Sequence, residues 1–389
     1  MKVLIVIDEH VFLYKGHYYV RELGTDLTER YLQVFDSIRV ATRVDEVSDL
    51  DLKVHRRMDS ERVELFPLKF FRGYKQFLRN MLSLRRQYRA VIGDCEAALI
   101  RLPSTIGFSI AGRVLRKKLP LACEVVASPY DFFRIKKPGI EKVLYGIYHL
   151  QLRKTCSKAD GVAYVTEFAL QKQYPASKKG SFTAHYSSAK IKPEFYTAPR
   201  QLSGTGPLVV CHVAHPINNW EKGHDVAIRV IAELNRRMSR KIRIRFAGDG
   251  ELVPQLRQLA VELGVADCVD FPGVLSMSEL HSLLTTSHAM ILPTLTEGLP
   301  RVIIEAMATG LPCVSTPVGG IPELLPSRFL CEPTDVNRFS DELEALFSSE
   351  EFYRVESERN FERSRDFAED KLQVKRIKFF ESMTKVGHY

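Results

Sequence analysis

The sequence lacks several features that identify a protein class directly. No apolar run reaches the ~18 residues needed to span a bilayer. The N-terminus, MKVLIVIDEH, has no cleavage site of small residues, so it predicts a first strand and not a signal peptide. The seven cysteines form no C-x-x-C pair, which disfavours a zinc site and favours reduced core thiols of a cytoplasmic protein. No G-x-G-x-x-G turn follows Lys2–Asp8, which disfavours a dinucleotide-dependent dehydrogenase.

The length and charge of the chain indicate how many domains it forms and what kind of partner it binds. A chain of 389 residues is too long for one ordinary core and predicts two domains. Residues 1–200 hold 35 Lys and Arg against 21 Asp and Glu, a net of +14, whereas residues 201–389 hold 21 against 26, a net of −5. The basic half predicts an anionic partner such as a membrane surface, a lipid diphosphate or an acidic glycan. Nucleic acid is disfavoured because no binding motif accompanies the charge.

Strand and helix patterns alternate along both halves, which is typical of doubly wound α/β domains. In the first half we expect strands at Lys2–Asp8, Ser37–Ala41, Val63–Phe66, Ala90–Ile92 and Leu121–Val126, and loops over residues 9–19 and 127–134. Residues 190–207 are rich in Pro, Gly and Ser and predict a linker. In the second half we expect strands at Leu208–Val213, Ile242–Ala247, Val269–Val274 and Ala289–Leu292.

Residues 70–89 predict an amphipathic helix. Its apolar face holds Phe70, Tyr74, Phe77, Leu78 and Met81, and its basic face holds Arg72, Lys75, Arg79 and Arg86. A core-packed helix with a solvated basic face explains this pattern. An interfacial helix resting on anionic lipid explains it equally well.

The stretch from Glu297 to Glu323 carries the most specific pattern of the chain. Pro300 is tolerated in the first turn of a helix, which we expect to run to Thr309 and to end at Gly310. The amides near Gly298 and Leu299 then point out of a helix N-terminus, where an anion such as a phosphate is favoured.

Two acids flank this helix start, with Glu297 at its mouth and Glu305 about a turn and a half inside. Carboxylates beside a phosphate are best used to accept hydrogen bonds from hydroxyl groups, such as those of a sugar and a ribose. The alternative is structural: Glu297 is an N-terminal helix acid, and Glu305 is solvated or paired with Arg301.

The whole stretch resembles the Glu-x7-Glu signature of the family-4 retaining glycosyltransferases. The residues in register are Pro293, Thr294, Glu297, Gly298, Leu299, Pro300, Glu305, Ala306, Gly310, Pro312, Gly319, Gly320 and Glu323. The resemblance implies an α/β fold of two Rossmann-like doubly wound domains facing a central cleft, the glycosyltransferase B architecture. Residues 1–195, with a C-terminal crossover helix at about 366–389, would bind the acceptor, and residues 205–365 would bind the donor.

The resemblance also implies an activity. A hexosyltransferase-type enzyme would move a sugar, with retention, from a UDP- or GDP-sugar to a glycan or lipid-linked acceptor in cell-surface polysaccharide or glycolipid synthesis. It would need no metal and no other cofactor. It would be cytoplasmic, with peripheral attachment to an anionic membrane through residues 70–89 as a further expectation.

The implied site is carried over residue by residue. Glu297, Lys222 and Asp131 would be catalytic. The donor-binding residues would be Gly16, His215, Lys222, Gly248, Gly250, Val274, Glu297, Gly298, Leu299, Pro300 and Glu305.

Three positions depart from the family pattern. His17 stands where a second glycine is usual after Gly16, and His215 stands where an arginine usually grips the diphosphate. His215 would bind phosphate only when protonated, and the alternative is that it caps a turn. No histidine occurs between Pro103 and Leu144, so its usual role falls to Asp131 or a neighbour, unless Asp131 only caps a loop.

Two rival functions remain. A glycosidase would use the two glutamates as acid and base, but it needs carboxylates flanking one bond at roughly 5–10 Å, which two acids at a helix entrance fit poorly. A non-catalytic nucleotide-sugar or lipid-binding protein on the same fold is the other, favoured by the departures at residue 215 and in the first half.

Overall fold

The structure is a computed structural model that describes residues 1–21, 26–52, 55–71, 73–202 and 204–386. It contains two compact units. The first comprises Met1–Val165, Leu170–Tyr186 and the chain from Gln373 onward, and the second comprises Thr166–Ala169 and Ser187–Leu372. Each unit is built around its own sheet.

The first unit contains a ten-stranded sheet. Its strands are β1 (Lys2–Val6), β2 (Val11–Tyr14), β3 (His17–Arg21), β4 (Ser37–Glu46), β5 (His55–Arg57), β6 (Val63–Lys69), β7 (Ala97–Leu102), β8 (Leu121–Val125), β9 (Gly161–Tyr164) and β10 (Phe182–His185). The order is β10-β9-β8-β7-β1-β4-β2-β3-β5, with β6 also paired to β4. The strands from β10 to β4, with β6, run parallel, and β3 pairs antiparallel with both β2 and β5.

Helices cover this sheet. They are α1 (Asp26–Leu32), α2 (Gly73–Ala90), α3 (Thr105–Arg116), α4 (Pro129–Ile135), α5 (Ile140–Cys156) and α6 (Ala169–Gln173). Leu84 of α2, Ile110 of α3 and Leu152 of α5 are fully buried in one apolar core with strand residues such as Ile100. These three helices therefore form one layer against the same sheet.

The second unit contains a five-stranded parallel sheet in the order β13-β12-β11-β14-β15. Its strands are β11 (Leu208–Val213), β12 (Ile242–Ala247), β13 (Val269–Gly273), β14 (Ala289–Leu292) and β15 (Cys313–Ser315). Its helices are α7 (His224–Arg237), α8 (Val253–Glu262), α9 (Met277–Thr286), α10 (Arg301–Ala308), α11 (Val336–Ser348) and α12 (Glu350–Ser364), and α13 (Glu369–Thr384) runs from this unit into the first. The α/β class with two doubly wound sheets is confirmed.

Three local predictions for the first half are wrong. The strand expected at Ala90–Ile92 is the end of α2 followed by a turn, and the strand lies at β7. The loop expected over residues 9–19 is a hairpin of β2 and β3, because Lys15 and Gly16 both adopt positive φ and form a tight two-residue turn. The loop expected over residues 127–134 contains α4, which Ser128 caps.

The amphipathic helix predicted for residues 70–89 is present but begins at Gly73, so Phe70 precedes it, and Leu78 does not lie on its buried face. Phe77 packs against the core, and Leu84 and Tyr88 are buried. Leu78, placed on the apolar face by the sequence pattern, is 54% exposed, because it points to the side of α2 that carries Leu82 and the cations. Arg72, which was assigned to the basic face, lies outside the described residues.

Candidate functional site

The topology of the second unit marks one position for a ligand. β11 lies between β12 and β14, so the strand order changes direction between β11 and β14. Open parallel sheets bind ligands beyond the carboxyl ends of the strands at such a switch point. The segments that leave β11 and β14 there contain Lys222 and Glu297, respectively.

Lys222 ends a short 3-10 turn, Trp220–Lys222, which the side chain of Asn219 caps by accepting from the amide of Glu221. Gly223 follows with φ +69°, a left-handed conformation that favours glycine. A Cβ at Gly223 would lie 2.2 Å from the carbonyl oxygen of Pro293. The Lys-Gly pair thus allows the turn to pack directly on the segment that leads to Glu297.

The lysine and the glutamate meet in the structure. Lys222 Nζ donates to Glu297 Oε1 at 2.5 Å and to the carbonyl oxygen of Thr296 at 3.3 Å. The Lys222 side chain is 33% exposed and that of Glu297 is 15% exposed. Because an ammonium group has three N–H donors, Lys222 keeps a donor for a ligand while it holds Glu297 in place.

The N-terminus of α10 opens next to this pair. Pro300 is its N-cap, and no described side chain caps its first turn. A helix start without a side-chain cap has donors available for an anion. The segment before it is fixed by Gly320, whose amide donates to the carbonyl oxygen of Gly298 at 2.6 Å. This hydrogen bond therefore holds the residues that precede α10, Gly298 and Leu299, in place.

Glu305 lies half-buried on α10. Burial raises the pKa of its carboxyl group, and the nearby charge of Arg301 opposes this shift. No ion pair joins Glu305 to Arg301 in the part of the chain that the structure describes. The interpretation of Glu305 as one half of a salt bridge with Arg301 therefore lacks support.

His215 and the Gly-x-Gly turn lie on the β11 side of the switch point. The exposed His215 ring approaches the backbone of Asp249, with Nδ1 3.2 Å from the carbonyl oxygen and 3.4 Å from the amide. A Cβ at Gly248 would lie 2.0 Å from the carbonyl oxygen of Ala214, and one at Gly250 would lie 2.5 Å from that of Ile217. Both glycines thus allow two backbone segments to approach each other closely, and His215 contacts the turn between them.

The remaining predicted residue of this unit, Val274, follows β13 and is 52% exposed. Gly273 before it has φ +85°, and its carbonyl oxygen accepts from the amide of Gly248 at 2.8 Å. Val274 and Gly248 are therefore held on neighbouring segments. A donor role for Val274 stays a prediction.

Two predicted residues, Asp131 and Gly16, belong to the first unit. The amide of Asp131 donates to the Ser128 cap of α4 at 3.3 Å, and burial raises the pKa of its carboxyl group while Ser128 and Arg134 lower it. Gly16 forms the tight turn between β2 and β3. Local structure alone explains why Asp131 and Gly16 occur at these positions, so their functional roles stay predictions.

Two buried histidines that the sequence does not predict as part of a site lie beneath the Lys222 turn. His212 in β11 donates from Nε2 to the carbonyl oxygen of Lys222 at 2.8 Å, and its ring lies 4.2 Å from that of His224. Neither nitrogen of His224 has a hydrogen-bond partner among the described residues. Burial lowers the pKa of His212 to about 4 and that of His224 to about 2, so both are neutral at physiological pH. No sequence motif signals the pair, because β11 and the start of α7 come together only in the fold.

Glu323, the last acid of the motif, also has a defined set of partners. Its carboxylate accepts from the amides of Glu167, Phe168 and Ala169 at 2.5, 3.0 and 2.8 Å. All four residues belong to the second unit. Glu323 therefore has a structural role and is not available to a ligand.

Residues 202–363 match the family model described as glycosyl transferases group 1. Over these residues the chain is similar to the group 1 glycosyltransferases. The match covers the second unit almost completely, including Lys222, Glu297 and Glu305. The expectation of a glycosyltransferase from the Glu-x7-Glu resemblance is confirmed at the level of the family.

The curated relatives include one that aligns along nearly the whole of this chain. Protein CapJ of Staphylococcus aureus is 24% identical over 389 residues, which cover 99% of this chain and 96% of CapJ. The phosphatidylinositol N-acetylglucosaminyltransferase gpi3 subunit of Schizosaccharomyces pombe is 34% identical over 109 residues, which cover 28% of this chain and 24% of that protein. The chain thus matches about a quarter of the second relative.

Solved structures share the fold. Sucrose-phosphate synthase from Thermosynechococcus elongatus superimposes with a TM-score of 0.74 at 14% identity, covering 99% of this chain and all of that one. Anabaena HepE in complex with UDP and glucose gives 0.69 at 17% identity, with 99% and 100% covered. At such identities the likeness shows the glycosyltransferase B architecture alone.

Two kinds of feature are absent from the described residues. None of the described helices is long and apolar enough to cross a membrane. The described part of the chain also holds no group of three or more His, Cys, Asp or Glu side chains arranged for a metal ion. All seven cysteines are buried free thiols.

Proposed function

We propose that this group 1 glycosyltransferase moves a sugar, with retention of configuration, from a nucleotide-diphosphate sugar bound in its second unit. The observation that carries the proposal is the Lys222–Glu297 pair beside the N-terminus of α10, at the switch point of the sheet. A cation, a carboxylate and free helix amides at one position are the groups that a diphosphate and an adjoining sugar need.

The roles follow from the charge that each group carries. Lys222 and the amides of Gly298 and Leu299 bind the diphosphate and stabilise the negative charge that develops on it as the sugar leaves. Glu297 accepts hydrogen bonds from the sugar hydroxyls. Glu305, which forms no ion pair with Arg301 in the described part of the chain, accepts from the ribose. The lysine and the helix dipole take the place of a metal ion in this proposal.

Two residues have secondary roles in the proposal. His215 contacts the Gly248–Gly250 turn, so it orients that turn and adds a phosphate contact only when it is protonated. Asp131, whose carboxyl group has a raised pKa in the first unit, replaces the histidine that the family usually carries near the transferred sugar. Gly16 and Val274 complete the donor-binding set.

We propose UDP as the nucleotide and a glycan or lipid-linked acceptor in cell-surface polysaccharide or glycolipid synthesis. The UDP and glucose in the HepE structure support the donor. The relative named as a phosphatidylinositol N-acetylglucosaminyltransferase component supports a lipid acceptor. The net charge of +14 in residues 1–200 supports an anionic acceptor and a peripheral position on the cytoplasmic membrane face.

The test is a panel of UDP-, GDP- and ADP-sugars scored first by thermal shift and then by turnover with glycan and lipid-linked acceptors. We expect one nucleotide series to stabilise the chain and to support transfer without added metal and in the presence of a chelator. The anomeric configuration of the product, measured by NMR before mutarotation, tests retention. An inverted product would overturn the proposed mechanism.

Two variants connect the result to the site. Glu297→Gln should bind the nucleotide diphosphate and lose transfer, because the carboxylate contacts the sugar and not the phosphates. Glu332→Gln, an exposed acid of the same unit, is the matched control. Binding without transfer or hydrolysis under every acceptor would favour a non-catalytic binder, and donor-independent cleavage of a glycan would favour a glycosidase.

A further inference from the structure

The hairpin of β2 and β3 has one face in the core and one face at the surface. Val11 and Val20 share the inner face, and both side chains are buried. The opposite face carries four rings in two cross-strand pairs, Phe12 with Tyr19 and Tyr14 with His17. These four side chains are partly exposed. The hairpin therefore presents aromatic rings on the side away from its buried valines.

Two further rings enlarge this outer face. The ring of His55 in β5 lies edge-on to that of Phe12, with the centroids 5.2 Å apart, and the ring of His10 lies 4.4 Å from Phe12. The Tyr14 and Tyr19 rings approach each other to 6.2 Å. We call the whole set the aromatic face. It consists of His10, Phe12, Tyr14, His17, Tyr19 and His55.

Polar groups lie beside these rings. His10, whose side chain is 42% exposed, places Nε2 3.5 Å from Asp45 Oδ2. His17, whose side chain is 43% exposed, places Nδ1 3.2 Å from Asp59 Oδ2. The exposed Arg57 of β5 also forms an ion pair with Asp59. The aromatic face thus combines flat rings with hydrogen-bond donors and acceptors at the surface.

The aromatic face carries no net charge, although the first half of the chain is strongly basic. The segments that build it, residues 9–21 and 43–59, together hold six Lys and Arg and six Asp and Glu. Residues 1–200 as a whole have a net charge of +14. An anionic partner would bind the surrounding basic surface more strongly than this neutral part. The charge distribution therefore favours an uncharged partner for the aromatic face.

We propose that the aromatic face binds the sugar units of an uncharged glycan chain. The faces of a pyranose ring carry C–H groups that pack on aromatic rings, and its hydroxyl groups bind carboxylates, imidazoles and guanidinium groups. A purely apolar partner would leave Asp45 and Asp59 without hydrogen-bonding groups opposite them. Packing within the hairpin explains the buried valines but not rings that stay partly exposed on the other face.

The inference deepens the proposed function and rests on it in one respect, namely that the bound glycan would be the acceptor. Tyr14 and His17 flank the turn that contains Gly16, the glycine that the proposed function assigns to the donor-binding set. A glycan on the aromatic face lies beside that turn. Acceptors of several sugar units would therefore gain a contact that a single sugar lacks.

The experiment measures binding of neutral oligosaccharides to the full chain by saturation-transfer NMR, without a donor. The probes are maltohexaose, cellohexaose and chitohexaose, each compared with its monosaccharide. We expect at least one hexasaccharide to bind tenfold or more tightly than its monosaccharide, because several sugar units contact the face at once. Its affinity should be the same at low and high salt, since the contacts are not ionic.

Variants assign the binding to the aromatic face. Tyr14→Ala/Tyr19→Ala should weaken it about tenfold, since two ring contacts are lost. Tyr14→Phe/Tyr19→Phe keeps both rings and should stay within about threefold of the unaltered chain. The matched control is Tyr18→Ala, which removes a ring from the other face of the same hairpin and should not change the affinity.

A further variant keeps the test valid if the double alanine variant does not fold. Asp45→Asn removes a charge at a partly exposed position and no ring, and it should weaken binding about threefold or more through a lost charge-assisted hydrogen bond. Circular dichroism and the melting temperature verify that each variant is folded.

Three results would overturn the inference. One is that no hexasaccharide binds more tightly than its monosaccharide. Another is an equal loss of affinity in Tyr18→Ala and Tyr14→Ala/Tyr19→Ala. The third is a sugar-free dimer that Tyr14→Ala/Tyr19→Ala converts to a monomer, measured by light scattering, which would assign the face to a second copy of the chain.

The two proposals can fail separately. Oligosaccharide binding together with an inactive donor panel would count against the proposed function alone. Transfer in the donor panel without oligosaccharide binding at the aromatic face would count against this inference alone.

Discussion

Lys222 has two partners in the proposed donor site, the carboxylate of Glu297 and the carbonyl oxygen of Thr296, and its third N–H donor is left for the proposed diphosphate. We expect Lys222→Gln to lower turnover on the order of 100-fold, since it removes a cation aimed at charge that develops in the transition state. The affinity for the nucleotide diphosphate should fall as well, which calorimetry measures.

Lys241 offers the control for this substitution. It is a lysine of the same unit that forms an exposed ion pair with Asp267. Exposed pairs contribute little, so Lys241→Gln should change neither turnover nor stability measurably. Equal losses in both variants would show that Lys222 acts through the fold and not at the donor.

We expect Glu305 to lower the stability of the ligand-free fold and to strengthen binding of the nucleotide diphosphate. Its pKa is raised in the folded state, so the ionised carboxylate destabilises the ligand-free fold above that pKa, and the penalty decreases as the pH falls. Glu305→Gln should therefore raise the melting temperature of the ligand-free chain at neutral pH. It should also weaken binding of the nucleotide diphosphate by about tenfold, because a charge-assisted hydrogen bond is replaced by a neutral one.

The two parts of this prediction can be measured separately. Thermal unfolding without ligand gives the first, and calorimetry with the nucleotide gives the second. A variant with a lower melting temperature and unchanged affinity would show that Glu305 is a structural acid. The same measurement repeated at acidic pH should reduce the difference in melting temperature.

At the scale of elements, the helix mouth of α10 depends on a glycine in the turn after β15. Gly319 has φ +55°, and a Cβ there would lie 2.0 Å from the carbonyl oxygen of Glu297. We expect Gly319→Ala to destabilise the fold by about 2–4 kcal/mol through strain and this clash. It should also reduce turnover, because the segment carrying Glu297 has to move.

A substitution at Gly264 is the control that distinguishes backbone strain from the clash with Glu297. It has φ +69°, but no described atom lies within 4 Å of a Cβ placed there. Gly264→Ala should therefore cost about 1 kcal/mol from backbone strain alone and leave turnover unchanged. Chemical unfolding compared with steady-state rates checks both. Similar losses of stability and turnover in the two variants would show that the close contact between Gly319 and Glu297 has no effect of its own.

The same elements show what could be predicted from the sequence. The region from Glu297 to Gly320 is predicted closely, because its signals are local: a proline at the helix start, a glycine after its end and apolar residues between. The strand at β7 is missed because the apolar run at Ala90–Ile92 fits the pattern of a strand, whereas Val91 and Ile92 are buried in a turn.

Other features depend on tertiary contacts that a pattern does not contain. The Lys222–Glu297 contact joins residues 75 positions apart through the parallel pairing of β11 with β14. Ile147 and Leu150 of α5 have the sequence spacing of a core-facing pair, and only their exposure in the structure shows that they lie outside the core. The position of His215 against Asp249 also depends on how two loops pack.

At the scale of the whole molecule, stability should fall as the solution is acidified. The folded-state pKa values of His212 and His224 are lowered to about 4 and about 2. The unfolded chain therefore binds more protons below the unperturbed pKa of ~6.5. Each imidazole should lower the free energy of unfolding by roughly 1.4 kcal/mol for each pH unit below that value, down to its folded pKa.

One variant distinguishes the contribution of His224 to this pH dependence from the contribution of the carboxyl groups. His224→Phe keeps an aromatic ring in a position whose nitrogens have no partners among the described residues, so we expect it to reduce the slope of stability against pH between about pH 6 and 4. Urea unfolding at a series of pH values measures the slope. An unchanged slope would show that His224 is already protonated in the fold.

The short turn that carries Lys222 has a practical consequence. It begins at Trp220, which is the single tryptophan of the chain and is 46% exposed. The tryptophan emission of the protein therefore comes from one indole, two positions away from Lys222 of the proposed donor site. A nucleotide that moves this turn or covers the ring would change the emission, so occupancy can be followed in real time without a label.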